Sequence, residues 1–241
     1  MKQKNITLSL LLLCLTASLS AQFVDQKTPR FRISASGGLG YLIASGQEDI
    51  SGVVNKEAID KANRDLRLAT NLNSDAYYLF EEGWGLGVKY LFQKTSAEAD
   101  DIIVDIQDNA HYMVMDIWEK DYVNYVGPSL FGYSTVGNND NLFLISSLSF
   151  GYAWLRSEAY VLNQNVLVTG GNFGMNAEIG LDYLFTPSFG VGVNLGYLMS
   201  YFSKVKMTDG VNKVEQTLDK DSRYNASNVH LSIGLRYYLN K

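Results

Sequence analysis

Residues 229–239 alternate strictly between two kinds of side chain. Successive residues of a strand point to opposite faces, so Val229, Leu231, Ile233, Leu235, Tyr237 and Leu239 share one face. His230, Ser232, Gly234, Arg236 and Tyr238 share the other. The apolar face runs unbroken to the end of the sequence, with no further chain to cover it. Lipid can cover such a face, and the polar face, with its glycine and arginine, then lines an interior.

The same period-two pattern recurs along the chain. A first strand sets Phe31, Ile33, Ala35, Leu39, Tyr41 and Ile43 against Arg32, Ser34, Ser36, Gly38 and Gly40. A second sets Leu66, Leu68, Leu72, Ala76, Tyr78 and Phe80 against Arg67, Asn71, Asn73 and Asp75, and a third sets Trp84, Leu86, Val88, Tyr90 and Phe92 against Gly85, Gly87, Lys89 and Gln93. The fourth, Tyr122 to Thr135, carries aromatics at both parities and Pro128, which cannot donate to a ladder, so its facing stays open. The fifth puts Leu142, Leu144, Leu148, Phe150, Tyr152 and Trp154 outward. The sixth opposes Phe173 to Phe185 with Asn172, Gly174, Asn176, Glu178, Gly180 and Asp182, and the seventh opposes Phe189 to Tyr201 with Gly190, Gly192, Asn194, Gly196 and Ser200. Residues 229–239 make the eighth.

The connections alternate in length. Glu81–Gly83, Gly137–Asp140 and Thr186–Ser188 are short, turn-forming stretches, whereas four others are long. Among the long ones, Gln47 to Arg64 has the 3.6 period of a short amphipathic helix, and about Glu98 to Trp118 reads as a hairpin projecting past the membrane. Tyr160 to Gly171 reads as a loop and Lys204 to Asn225 as a polar loop.

Composition narrows the setting. Residues 1–21 have Lys2 and Lys4, an apolar run and then small residues, the order of a secretory signal that is removed, leaving one domain over 22–241. Cys14 falls inside that run after Leu13, which argues against lipidation, and the mature chain has no cysteine for disulfides or thiolate metal sites. Without Lys2 and Lys4 there remain 18 basic against 25 acidic side chains, a net charge of −7 that disfavours nucleic acid. No later segment approaches the roughly twenty apolar residues of a spanning helix. A membrane chain of this kind must therefore close its sheet, because hydrocarbon satisfies no backbone group.

Ser232, Gly234, Tyr237 and Leu239 resemble the C-terminal assembly signal of bacterial outer-membrane barrels, with Leu239 where an aromatic is commoner. With the alternating connections, the mature chain resembles small barrels of the OmpX and OmpA-transmembrane type, within the porin-like outer-membrane β-barrel domain family. The resemblance implies an all-β, eight-stranded antiparallel transmembrane up-and-down β-barrel with short periplasmic turns and long extracellular loops. It also implies the outer membrane of a Gram-negative bacterium, with lipid, lipopolysaccharide and the barrel-assembly machinery as partners. Trp84, Phe185, Phe189 and Tyr237 below, and Tyr41, Phe92, Trp154 and Tyr201 above, would form the aromatic girdles.

Arg32, Lys89, Glu178, Asp182 and Arg236 all fall on the glycine-bearing face. An eight-stranded lumen is only wide enough to be filled by side chains, so these charges are expected to pair in an interior network rather than line a general pore. His230 and Ser232 have the His-x-Ser spacing of outer-membrane lipid A deacylases, but no acid follows them, and a polar lumen is the plainer reading. His111 has no second imidazole nearby, and the acidic crowd of Glu98, Asp100, Asp101, Asp105, Asp108 and Asp116 matches no calcium loop. Gly83, Gly85 and Gly87 precede no helix and are no phosphate loop. No catalytic, metal or cofactor residue is assigned.

Ile102, Val104 and Ile106 extend the outward parity of the third strand beyond the membrane, where the helix-like connection or an extracellular partner must cover them, the partner being slightly favoured. The expected role is that of a membrane anchor for surface loops, structural or adhesion-like and not enzymatic. The alternatives are a narrow channel for small or apolar solutes, as in OmpW-like barrels, and a soluble lipocalin-type carrier, which the charged interior argues against.

Overall fold

A computed structural model describes residues 29–43, 54, 56–80, 83–105, 112–137, 139–161, 164–210, 212–219 and 223–239. Residues 1–21, read above as a secretory signal, and Ile106, His111 and Asp108 lie outside them. In chain order the elements are β1 (Phe31–Leu42), α1 (Lys56–Asp65), β2 (Leu68–Leu79), β3 (Trp84–Asp105), β4 (Tyr112–Val136), β5 (Asn139–Val161), β6 (Gln164–Leu184), β7 (Phe189–Phe202), β8 (Lys204–Thr208), β9 (Lys213–Thr217), β10 (Tyr224–Asn225) and β11 (Asn228–Leu239). Eight of them, β1 to β7 and β11, pair antiparallel in a closed ring, β11 lying between β7 and β1.

The alternation read in the sequence is the alternation of the barrel wall. On β2, odd residues from Ala69 to Leu79 are buried and even ones face out, and β1 and β11 repeat this with Arg32, Ser34 and Ser36 or His230, Ser232 and Arg236 inside. Outside, Leu39, Leu72, Phe150, Ile233 and Leu235 are more than half exposed, a belt that a water-soluble chain would not present. Aromatic rings flank it. Phe80 stacks on Trp84 and Phe189 lies against Tyr237 at one rim, while Phe92 pairs with Tyr122 and Tyr152 with Phe173 at the other. The facing of β4 is now fixed: Asp121, Val123, Tyr125, Ser129 and Phe131 point inward and Pro128 outward. The β4–β5 ladder skips from Val126 to Ser129 around the proline without a change of register.

The strands fall into two classes. β1, β2, β7 and β11 have 12 to 14 residues, close to what a tilted crossing needs, whereas β3 to β6 have 21 to 25. The extra residues, at about 3.3 Å each, carry four paired strands roughly 30 Å above the aromatic rim as a one-sided wall. Two expected loops are therefore strand. Tyr160 to Gly171 continues β5 and β6, with Val161 opposite Gln164; its glycines are no turn, since a Cβ at Gly171 would lie 2.0 Å from the Tyr152 hydroxyl. The stretch Lys204 to Asn225 contains the β8–β9 hairpin, which adds to β6 at Leu167–Gly170, and β10, which pairs with β7.

The apolar stripe also changes face. Between Ala99 and Ile102, β3 inserts one extra residue against β4, and Asp101 takes a left-handed φ of 55°. The bulge turns Ile102 from the outer face to the inner one, where it is buried with Ala99 against Ile59 and Ala62 of α1, Val104 packing alongside. The chain covers its own stripe, and Val54 N–H closes on Ile103 C=O at the β3 edge. The partner reading of Ile102 and Val104 is corrected accordingly.

Candidate functional site

The lumen is the concentrated polar feature of the molecule. Arg32 on β1 sits between two carboxylates: its guanidinium pairs with Asp75 of β2 and with Asp182 of β6 at 2.9 Å. Its carbon lies 4.8 Å from the Phe131 ring centre, with Tyr77 and Tyr238 about it, so the cation is held by faces as well as charges. Arg236 of β11 donates from Nε to the other oxygen of Asp182 at 2.8 Å and from Nη2 to Asn194 at 3.0 Å. Tyr238 donates its hydroxyl to Asp182 at 2.7 Å. A second group adjoins the first. Lys89 of β3 is 2.6 Å from Glu178 of β6 and 3.9 Å from Asp75, and His230 Nε2 is 3.1 Å from the other Glu178 oxygen.

Three cations, Arg32, Lys89 and Arg236, thus meet three carboxylates at the centre of the lumen. Each would be costly alone, and the shared acids Asp75, Asp182 and Glu178 tie the three pairings into one body. Glycines on β7 make the room. A Cβ at Gly192 would lie 2.1 Å from Asp182 Oδ1, and one at Gly196 would lie 2.2 Å from His230 Nε2.

All five expected lumen residues are therefore in the network, divided between the Arg32–Asp182–Arg236 and Lys89–Glu178 groups, with Asp75 joining the two. Asp75, His230, Asn194 and Tyr238 belong to it as well. Their inward parity was visible in the sequence; their partners, on strands far apart in the chain, were not. The pair His230 and Ser232 forms no nucleophile–base dyad. The His230 ring nitrogens face Asn228 Oδ1 at 2.9 Å and Glu178, which leaves neither for a serine hydroxyl.

The interior is not charged throughout, which corrects the contrast drawn with a carrier. Tyr77, Leu79, Phe131, Tyr133, Phe143, Ile145, Leu184 and Tyr238 close the end nearest the short turns. Toward the other end Leu91, Val123, Tyr125, Leu155, Leu198, Phe202 and Val205 form a second apolar cluster. Above it Asp121 accepts hydrogen bonds from Thr95 at 3.4 Å and from Tyr224 of the β9–β11 connection. Burial, then the neighbouring Asp121 charge, holds the Tyr224 phenol well above its ordinary value. Among the described residues no three His, Cys, Asp or Glu side chains gather as a metal site would require.

Of the assembly-signal residues, Ser232 and Gly234 face inward and Tyr237 and Leu239 outward. A Cβ at Gly234 would lie 2.1 Å from the Ala35 carbonyl oxygen, so the β11–β1 seam needs glycine there.

Comparison with curated proteins finds no match. Among solved structures, a major outer membrane protein from Thermus thermophilus aligns with TM-score 0.50 at 12% identity, over 87% of this chain and 99% of that one. OprG from Pseudomonas aeruginosa aligns with TM-score 0.48 at 15% identity, over 91% and 100%. Neisserial surface protein A aligns with TM-score 0.44 at 13% identity, over 86% and 96%. The profile of the family described as outer membrane protein beta-barrel domain matches residues 8–237. With its closed eight-stranded ring, lipid-facing belt and that match, the chain belongs to the outer membrane β-barrel family and resides in the outer membrane of a Gram-negative bacterium.

Proposed function

We propose that this barrel is a non-enzymatic membrane anchor that holds a surface wall for structural or adhesion-like interaction. The observation that carries the reading is the contrast between a lumen filled by a charge network and two apolar clusters and a four-strand wall that continues far above the rim. A filled eight-stranded lumen supports anchoring better than permeation. The wall, with α1 packed inside it, is the part that meets the exterior. Lys94 and Lys120, 5.9 Å and 4.9 Å from the ring centres of Tyr122 and Trp118, stand near that rim, where lipopolysaccharide phosphates would pair with them. The barrel-assembly machinery is the partner in biogenesis, and an extracellular partner meets the wall.

Joining Ser96 directly to Lys120, which are cross-strand neighbours, through an Asn-Gly turn removes the β3–β4 half of the wall and keeps the barrel. Cells carrying the shortened protein are expected to lose adherence while it assembles normally. Purified wild type in planar bilayers is expected to show no stable conductance steps. Large, stable steps would replace the anchor with the channel reading.

A further inference from the structure

Past the bulge at Asp101 the parity of β3 reverses. Ile102 and Val104 turn in toward α1, and Ile103 and Asp105 turn out. The register sets Ile103 beside Val114 and Asp105 beside Tyr112 on that outward face. Tyr112 and Val114 are 59% and 60% exposed, with Ile103 half-buried between them and the strand edge. Val114 stands about 26 Å along β4 beyond Tyr122 of the aromatic rim, so no lipid covers the patch. Scattered apolar residues on a surface mean little, but adjoining ones on a face that nothing else buries mark a contact.

The same face is acidic. The described residues of this tip, 98–105 and 112–118, include no lysine or arginine, and Glu98, Asp100, Asp105 and Asp116 border the patch. Among the described residues none of these four carboxylates is ion-paired, and Asp105 Oδ1 is buried without a hydrogen-bond partner. The bases of the wall stand lower. Lys94, Lys120, Arg156 and Lys206 lie in the two cross-strand rows next to the rim, where Arg156 and Lys206 already pair with Glu158 and Glu215. Lys120 is about 20 Å down the strand from Val114, more than two screening lengths of about 8 Å. The tip therefore presents its own negative field, which repels phosphate, sulfated glycans and nucleic acid.

We infer that the outward Ile103, Val114 and Tyr112 patch is the docking surface for a basic protein partner, which sets an apolar side chain on the patch and lysines or arginines around it. The inference rests on the reading of the wall as the part that meets the exterior. A simple organic cation would satisfy the carboxylates but leave the apolar centre uncovered, whereas a polypeptide supplies both. Val54 N–H already takes the Ile103 carbonyl at the β3 edge, so the partner meets the sheet by its face and not by adding a strand there. The acids speed the encounter, and the apolar centre holds the complex.

The test uses the full barrel in nanodiscs of phosphatidylcholine and three fluorescein-labelled octapeptides, alternating lysine with valine, lysine with serine, or glutamate with valine. Fluorescence anisotropy is expected to show tightest binding of the lysine–valine peptide, weakening as salt is added. Combining Tyr112→Ser with Val114→Ser should lower that affinity about tenfold or more. Combining Asp100→Asn with Asp116→Asn should flatten the salt dependence, while the new amide oxygen still accepts the Asp101 N–H. Heat-modifiable mobility checks that each variant is folded. Equal affinity of the lysine–valine peptide for wild type and the serine variant, or equal binding of the glutamate–valine peptide, overturns the patch. Should the serine variant fail to assemble, an unchanged salt dependence in the asparagine variant overturns it instead. Adherence of whole cells separates this inference from the reading beneath it. Adherence lost when Ser96 is joined to Lys120 but kept in the serine variant removes the patch and leaves the wall as a binding surface. Adherence kept in the shortened barrel removes both.

Discussion

Lys89 shows how a single residue commits this barrel. It is fully buried, and its ammonium has Glu178 at 2.6 Å and Asp75 only at 3.9 Å. Glu178→Gln would leave that cation without its near charge, and breaking a buried pair from one side costs about 3–5 kcal/mol. Lys89→Met in the same background would remove the stranded cation. The double variant is therefore expected to lose less than the sum of the singles when urea unfolding is followed in lipid vesicles. An additive result would mean that the two side chains do not act as a pair. The sequence marked Lys89 and Glu178 as inward by parity alone. It could not pair them, because Lys89 and Glu178 come from strands that face each other only across a closed ring. His230 was legible as polar and inward, yet its role as a second partner of Glu178 depends on Gly196 lying beside it without a side chain.

At the scale of elements, parity carried the reading through the membrane and failed at one bulge. Counting by twos put Ile102 outside, but Asp101 at a φ of 55° adds a residue that pairing with β4 does not match. Nothing in Ala99-Asp100-Asp101-Ile102 announces that insertion, since aspartate enters the left-handed region at modest cost and also reads as an ordinary solvent-facing charge. Deleting Asp101 should restore simple alternation and return Ile102 to the outer face, so α1 loses its seat. Limited proteolysis on whole cells is expected to cut within 43–65 faster in the deletion than in wild type, whereas Asp101→Gly keeps the wild-type rate. Tyr224 gives the outer connection a pH dependence. Its phenol is held above the ordinary value of 10.0 by burial first and by Asp121 second, so the folded state binds that proton more tightly than the unfolded chain. The stabilisation is complete below pH 10 and declines as pH rises toward the folded value. Hydrogen exchange at Arg223 to Ser227 should therefore quicken above pH 10, and in Tyr224→Phe it should already be fast at pH 7.

For the molecule as a whole, closure is the decisive event, and the sequence announced it most clearly in its last strand. The alternation of residues 229–239 identified a face for lipid, and β11 is indeed the strand that joins β7 to β1. What that strand could not disclose was the division between four crossing-length strands and four that rise past the rim. Length beyond the bilayer leaves no lipid-specific pattern, and a β-rich stretch such as Val166-Leu167-Val168-Thr169 serves a wall as well as a membrane. Closure also sets the last expectation. Deleting Ser232 to Lys241 removes the pairing of Ser36 with Gly234 on one side and of Gly192 with Gly234 on the other, so two edges lose their partners at once. Unpaired backbone groups in hydrocarbon cost several kcal/mol each, and no rearrangement of seven strands in this register recovers them. The truncated chain is expected to stay in the periplasm, sensitive to protease and without the boiling-dependent mobility shift that the folded wild type shows. Gly234→Val should show a milder form of the same defect, because its side chain would press on the Ala35 carbonyl and the Ser36 backbone while the edges remain present. Surface-labelled, heat-modifiable protein from the deletion at wild-type levels would show that β11 is dispensable to closure.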